Sequence, residues 1–552
     1  MMRQFRQAVL AMFLIPMTAL GQNHNLEVGK NLDIFNALYS NLDLFYVDTL
    51  NPGQTMTAAI NGMLNTLDPY TEYYPEEKTK MLQMMLTGNQ YAGIGALVKY
   101  HQKLKRVVID EPYEGMPAAE AGLKKGDIIL SIDDTLMTDK QVAFVSSHLK
   151  GDAGTSFVLK LKRPSTNQEM KFKITRRNIR FPELPYWGMR PDSIGYICLN
   201  QFTEGCALKV RRAFVDLKKQ GAKGLIFDLR DNHGGSEMEA VDVVNIWVPQ
   251  GELVVENRGK VRQANRKYET SLEPVDTLMP MVVLVNGESA SASEIASGAL
   301  QDLDRAIILG SRTYGKGLVQ VPLELPYNTN VKITTSHYYI PSGRCIQAVN
   351  YKRGREERIA DSLTNVFYTR NGREVRDGGG VKPDVELKND TLSNIAYYLS
   401  GSGLDSTEVM FDYVMDYIDR HPTIAPARDF RLTEQDWQQF CQRVVESGFT
   451  YDPLSKKQLD SLMETAKFEG YYDQAKDAFD ELAKKLEHDV ATDLDKNRKI
   501  VQQMLELSIV SAYYYQAGAT EVGLNYDKQV QEAERLLKSP EEYRRILFPN
   551  NK

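Results

Sequence analysis

The chain has 552 residues, 42% of them hydrophobic and 25% charged, with a formal net charge of −6. That length implies several domains around separate cores, and the composition is that of ordinary globular proteins. The acidic balance gives no support for nucleic-acid binding, which a basic surplus usually announces.

At the start, Arg3 and Arg6 form a positive n-region, Ala8 to Leu20 is mostly apolar, and Ala19-Leu20-Gly21 has the small-x-small form of a cleavage site. This pattern predicts a signal peptide over residues 1–21. The apolar run is shorter than the roughly 20 residues a membrane span needs, and Pro16 and Thr18 interrupt it. No cysteine follows it to carry a lipid. The expectation is an exported, periplasmic protein with no transmembrane span after cleavage.

Residues 22–86 are expected to be helical. Ile34, Phe35, Leu38, Leu42 and Phe45 recur at helical spacing, as do Ala59, Met63 and Leu67, until Asp68-Pro69 breaks the pattern.

Residues 87–178 are expected to form a β-rich domain. It opens at Gly93-Ile94-Gly95-Ala96. Pro117 to Gly122 predicts a short helix and Gln141 to Leu149 a second one. Alternating Phe157, Leu159, Leu161 and Met170, Phe172, Ile174 predict a hairpin around Pro164 to Asn167. The Gly-Ile-Gly loop and the order Ala-Gly-Leu-x-x-Gly-Asp at 121–127 resemble a PDZ domain. The resemblance implies peptide binding, with Gly93, Ile94, Gly95 and Ala96 offering backbone N–H groups to a terminal carboxylate.

Residues 179–391 alternate strand and helix. Strands are expected at Ile194 to Leu199, Leu225 to Phe227, Met281 to Val285 and Ala306 to Leu309. Helices are expected at Ala207 to Lys219 and Ala292 to Leu303. Repeated strand–helix–strand units imply an α/β core. Residues 392–552 read as a C-terminal helical domain, with amphipathic segments at Phe479, Leu482 and Leu486, at Ile500 to Tyr515, and at Val530, Ala533 and Leu537. The fold class is therefore multidomain α/β with an inserted β-rich domain and helical segments at both ends.

The four cysteines, Cys198, Cys206, Cys345 and Cys441, form no Cys-x-x-Cys pair and no disulfide framework, though one bridge or free thiols both stay open. The seven histidines are scattered and form no metal-binding motif. Chemistry is instead concentrated at Ser291, within Asn286 to Ile295, and at Lys316, within Gly310 to Gly317. A hydroxyl becomes a good nucleophile when a base takes its proton, and an amine does this only when neutral. Lowering a lysine from about 10.4 to about 7 needs roughly 4 to 5 kcal/mol of differential destabilisation. Ser291 falls between a strand and a helix, where free N–H groups favour developing negative charge. The amide of Ala292, with one from Gly234 or Gly235, suits an oxyanion hole.

These segments resemble the carboxy-terminal processing, or tail-specific, proteases. The matching motifs are the Ser-Ala-Ser-Ala-Ser-Glu run at 289–294, Tyr314-Gly315-Lys316-Gly317 with Gln320, Asp228 to Gly235, Pro341-Ser342-Gly343-Arg344, Asp377 to Asp384 and Leu67-Asp68-Pro69. The resemblance implies a crotonase-like core and a serine–lysine dyad without metal or organic cofactor. It places the nucleophile at Ser291, the base at Lys316 and an orienting glutamine at Gln320. It also implies protein substrates captured by exposed C-termini and a role in envelope protein processing or turnover; homo-oligomerisation is left open. His233 departs from the family pattern and is read as a loop residue lining the site. A non-catalytic PDZ-based adaptor is the alternative reading, against which the intact dyad speaks. An acyl-CoA enzyme on the same core conflicts with the leader.

Overall fold

The computed structural model describes residues 2–79, 82, 91–179, 182–352, 355–388, 392–401, 408–451, 454–487 and 489–549, without the side chains of 2–23, 91 and 352. The chain divides into two compact units. One comprises Met1–Thr79, Pro322–Ile333 and Tyr351–Arg355. The other comprises Lys80–Val321, Thr334–Asn350 and Glu356–Lys552.

In the first unit, helices span Met2–Phe45 and Pro52–Leu64. Asn51 caps the second by accepting the Gln54 N–H, and Pro52 fills its first turn, where a missing N–H costs nothing. Asp68 then accepts the N–H groups of Tyr70 and Thr71 at 2.9 Å each. This Asx turn is the physical form of the predicted break. It feeds a three-residue strand, Glu72–Tyr74, paired antiparallel with Asn330 to Lys332. That strand was not expected, being too short to show alternation. The helix over Ile34 to Phe45 forms as expected, but its apolar stripe is uncovered: Ile34 is 54% and Phe45 74% exposed. The leader expected at 1–21 lies on residues whose side chains are outside those described. Among the described residues no helix is long and apolar enough to cross a membrane.

The second unit contains the expected β-rich domain. Strands Ala96–His101, Arg106–Pro112, Ile128–Ile132, Ser156–Arg163 and Gln168–Thr175 lie side by side in that order. The last two form the predicted hairpin in unbroken register from Ser156↔Thr175 to Arg163↔Gln168. Asn167 turns it in the left-handed region, which asparagine tolerates. Helices Pro117–Glu120 and Val142–Leu149 close over a core that includes Val107, Ile109, Ile129, Leu159 and Leu161.

The α/β core is a six-stranded sheet. Trp187–Arg190 is its antiparallel edge, followed by parallel strands Ile194–Cys198, Gly224–Asp228, Met281–Val285, Ile307–Gly310 and Val385–Glu386. The parallel strands sit in chain order without reversing. Right-handed crossovers in one direction put every connecting helix on one face. Accordingly Cys206–Lys219, Glu237–Val244 and Ala292–Asp302 pack on Ile197, Leu225, Phe227, Met281, Val283, Val285 and Ile308. The alternate residues Ile194, Tyr196, Ile226, Val282, Leu284, Ile307 and Leu309 point the other way.

That second face is covered by the C-terminal tail, a role the sequence did not announce. Val530, Ala533 and Leu536 of helix Lys528–Leu537, with Tyr543 and Leu547 of helix Pro540–Leu547, complete its core. Tyr543 Oη also bonds both the N–H and the carbonyl of Met281, at 2.8 and 2.9 Å. Arg230, on the loop after Gly224–Asp228, pairs with Asp527 at 2.6 Å, while Asp527 caps the tail helix through Gln529 and Val530 N–H. The rest of the tail forms its own core around Tyr413, Trp437, Phe440, Leu505 and Ile509. Its helix Val409–Arg420 docks on the β-rich domain: His101 Nε2 lies 2.9 Å from Asp412 Oδ1, and Phe411 sits under Lys99 and Lys125. The stripe expected at Phe479 and Leu482 does not reach a core, since helix Tyr472–Lys485 buries no residue. All four cysteines are free thiols.

Because the sheet needs the tail as a cover, Leu536→Ala, at a site 1% exposed, is expected to cost about 2–5 kcal/mol. Hydrogen exchange should show the loss as faster exchange in Met281–Val285. Unchanged protection of that strand, with loosening confined to the tail, would contradict the packing role.

Candidate active site

The expected serine, lysine and glycine pair lie on loops leaving the carboxyl ends of parallel strands, the usual ligand edge of such sheets. The loop after Gly224–Asp228 carries Asn232 to Gly235, that after Met281–Val285 carries Ser291, and that after Ile307–Gly310 carries Lys316.

Ser291 is the N-cap of helix Ala292–Asp302 and has φ 55° and ψ −114°. A non-glycine residue in that region is strained and persists only where its surroundings hold it. They do so from several sides. Ala290 N–H and Ser293 Oγ both donate to the Asn232 carbonyl, at 3.0 and 2.7 Å. Ser289 Oγ donates to the Leu229 carbonyl at 2.8 Å, and Tyr338 Oη reaches the Ser291 carbonyl at 3.2 Å. The three serines of the run are thereby told apart. Ser289 and Ser293 are 0% exposed with their hydroxyls on backbone carbonyls, whereas Ser291 is only half-buried.

Gly234 and Gly235 abut this turn. A Cβ on Gly234 would lie 2.6 Å from the Ala290 oxygen, 2.8 Å from Ser291 Cβ and 2.9 Å from Ala292 N, and its φ is +98°. Gly235 lies against Phe202, whose carbonyl oxygen would be 2.3 Å from an added Cβ. The two amides differ. Gly234 N–H donates to Asn232 Oδ1 at 2.9 Å, and the Gly234 carbonyl accepts Phe202 N–H at 3.0 Å. In a trans peptide the Gly235 N–H points opposite to that carbonyl, hence away from Phe202. Asn232, 0% exposed, also donates to the Leu199 carbonyl at 2.7 Å. His233 stands in solvent, its side chain 75% exposed and 3.7 Å from Glu288, in keeping with a loop residue.

Lys316 is half-buried. Its neighbours Gly315 and Gly317 permit a close approach: a Cβ on Gly315 would meet Ala348 Cβ at 2.3 Å, and one on Gly317 the Gln347 N at 2.8 Å. Gln320 follows on strand Leu318–Leu325 and donates to Thr334 Oγ1 at 3.1 Å.

Glu294 was quoted in the sequence only as part of the serine run. It is 0% exposed. Its Oε2 accepts the N–H groups of Ser291 and Lys316, each at 2.9 Å, and its Oε1 accepts Thr313 Oγ1 at 2.5 Å and Gly315 N–H at 2.7 Å. Burial pushes its carboxyl up to about 7, against the pull of these donors. The Ser-x-x-Glu spacing of a capping box was the available signal for the bond to Ser291. The remaining motifs are internal scaffolding. Arg344, 0% exposed, pairs with Asp302 at 2.9 Å. Asp384 accepts from Gln301 Nε2 and from Ile308 N–H, at 2.9 and 2.8 Å.

In the β-rich domain, Gly95 has φ +68°, and a Cβ there would strike Met116 at 2.5 Å. The carbonyls of Ile94 and Gly95 turn inward to Ala118 and Tyr113 N–H. Ile94 is a core residue, 3% exposed, with Gly93 and Gly95 buried beside it and Ala96 half-buried. Ala96 begins the strand at the edge of the sheet.

A model described as Peptidase family S41 matches residues 193–353. A PDZ domain model matches 108–163, and one described as Probable PDZ-protease, C-terminal helical domain, matches 401–537. A carboxy-terminal-processing protease of Bartonella bacilliformis is 33% identical over 61% of this chain and 78% of that protein. A protein of Staphylococcus haemolyticus named Probable CtpA-like serine protease is 33% identical over 56% of this chain and 61% of that protein. Among solved structures, a photosystem II D1 C-terminal processing protease is 28% identical with a TM-score of 0.37, covering 63% of this chain and 85% of that one. The chain belongs to the carboxy-terminal-processing proteases of peptidase family S41, and it is a serine-type peptidase with a PDZ domain and a C-terminal helical domain.

Gly234→Ala places a methyl group against the Ser291 turn. Peptide hydrolysis should fall at least about 100-fold, the scale of an ångström of misplacement. Parent-like kcat/KM in this variant would show that the approach of Gly234 to Ser291 is irrelevant to turnover.

Proposed function

We propose that the chain is an exported endopeptidase that works through a Ser291–Lys316 dyad and cleaves proteins near C-termini held by its PDZ domain. The observation that carries the reading is the difference among the three serines. Only Ser291 is placed on a strained turn at a helix N-terminus without full burial. In-order parallel strands with all crossover helices on one face support a crotonase-like core.

In this reaction the neutral Lys316 amine takes the proton from Ser291 Oγ as that oxygen attacks the scissile carbonyl. The negative charge on the carbonyl oxygen collects between the Ala292 and Gly235 N–H groups. Gly235 is preferred because the Gly234 N–H already serves Asn232. Lys316 then gives its proton to the leaving amine and, neutral again, activates the water that hydrolyses the acyl-enzyme. Gln320, fixed by Thr334, orients the amine. The PDZ domain holds an extended C-terminal peptide along the open edge of Ala96–His101, its carboxylate at the N–H groups of residues 93–96. Residues 1–21 direct export to the periplasm, where the substrates are envelope proteins.

Ser291→Ala and Lys316→Ala should each lower kcat/KM on a peptide with a free C-terminus by about 1,000-fold or more. Either variant cutting at the parent rate would falsify the dyad.

A further inference from the structure

The peptidase chemistry above gives no part to Glu294, a buried ionisable group bonded to both dyad segments. Glu294 is 0% exposed, and burying a carboxylate away from water is costly unless it is fully hydrogen-bonded. Here each oxygen accepts two hydrogen bonds, and the four donors come from two separate segments. Ser291 N–H belongs to the serine turn. Thr313 Oγ1, Gly315 N–H and Lys316 N–H belong to the loop that carries the lysine. Ser291 and Lys316 share the single atom Oε2, so their backbone nitrogens lie no further apart than two such bonds laid end to end.

We propose that Glu294 is the positioning residue of this site, a buried clasp that sets the separation of Ser291 from Lys316. The inference rests on the reading of those two residues as the dyad. Three features favour a clasp over a plain helix cap. A cap needs only the bond to the Ser291 N–H, whereas three of the four donors come from the lysine segment. Thr313 is itself fixed, its Oγ1 accepting Val381 N–H at 2.7 Å. Gly315 cannot drift toward its other neighbours, Ala348 and Gly380, which would already crowd a Cβ. The Glu294 carboxylate bonds three backbone N–H groups and Thr313 Oγ1, so the proposed effect passes through the two residues it aligns.

Glutamine at 294 keeps one acceptor oxygen but turns an NH2 group toward the other pair of donors, so it can hold one segment and not both. Aspartate is one methylene too short to span them. The test compares full-length parent, Glu294→Gln, Glu294→Asp, Ser291→Ala and Lys316→Ala, using a reporter peptide with a free C-terminus and a fluorophosphonate that labels activated serine. The expected result for Glu294→Gln is a kcat lower by about 100-fold, KM within about threefold, equally slowed labelling of Ser291 and a parent-like melting temperature. A kcat within about threefold of the parent, with Ser291→Ala and Lys316→Ala inactive, would overturn the clasp and leave the dyad standing. Full activity in Ser291→Ala would bring down the dyad itself, and the clasp with it. If Glu294→Gln does not fold, Thr313→Val removes a single donor. It is then expected to lose about tenfold in kcat at unchanged KM, and a parent-like kcat would count against the clasp.

Discussion

A carboxylate inside the protein, held by four donors from two loops, is the constraint on which the site depends. The serine turn and the lysine loop leave different strands, and nothing covalent between them fixes their spacing. Glu294 joins them at 2.9 Å or less on every side. A buried carboxylate that lost any of these donors would be left under-solvated, so the two loops are ordered together or not at all. Burial pushes the Glu294 carboxyl up to about 7 while the donors draw it down. All four bonds are complete only in its ionised form.

The same interdependence appears at larger scale in the sheet. Strands that follow in chain order leave one face without crossover helices, and Ile226, Val282, Leu284, Ile307 and Leu309 would lie bare on it. Fully burying such side chains is worth about 1.5–3 kcal/mol each. The tail helices supply the cover, and the Arg230–Asp527 pair ties them to the loop that leads on to Asn232 and Gly234. At its other end the tail grips the PDZ domain through Asp412 and Phe411. The helical domain thus touches both the sheet that presents the candidate site and the PDZ domain.

Much of this was legible in the sequence because it is local. Apolar runs bounded by glycine and proline gave Gly224–Asp228 and Met281–Val285 to within a residue or so. Alternation gave the hairpin from Ser156 to Thr175. The motifs singled out Ser291, Lys316 and the glycine pair, which the fold carries on loops after three neighbouring strands. What could not be read was partnership. An amphipathic stripe shows that a face is apolar but not what will cover it. Val530, Ala533 and Leu536 found a sheet over 200 residues upstream, while Ile34 and Phe45 stayed exposed. Glu294 was visible as the fourth residue of a capping box, yet its bonds to residues 313–316 depend on two loops meeting in space. The proposed preference for Gly235 over Gly234 likewise rests on one side chain, Asn232, which accepts the Gly234 N–H.

The most direct test of the central claim is a crystal structure of the full-length protein with a peptidyl boronate. The expected adduct joins boron to Ser291 Oγ, sets a boronate oxygen between the Ala292 and Gly235 N–H groups, and brings Lys316 Nζ within about 3 Å of Ser291 Oγ. An adduct on another residue, or a Lys316 amine turned into solvent away from that oxygen, would contradict it.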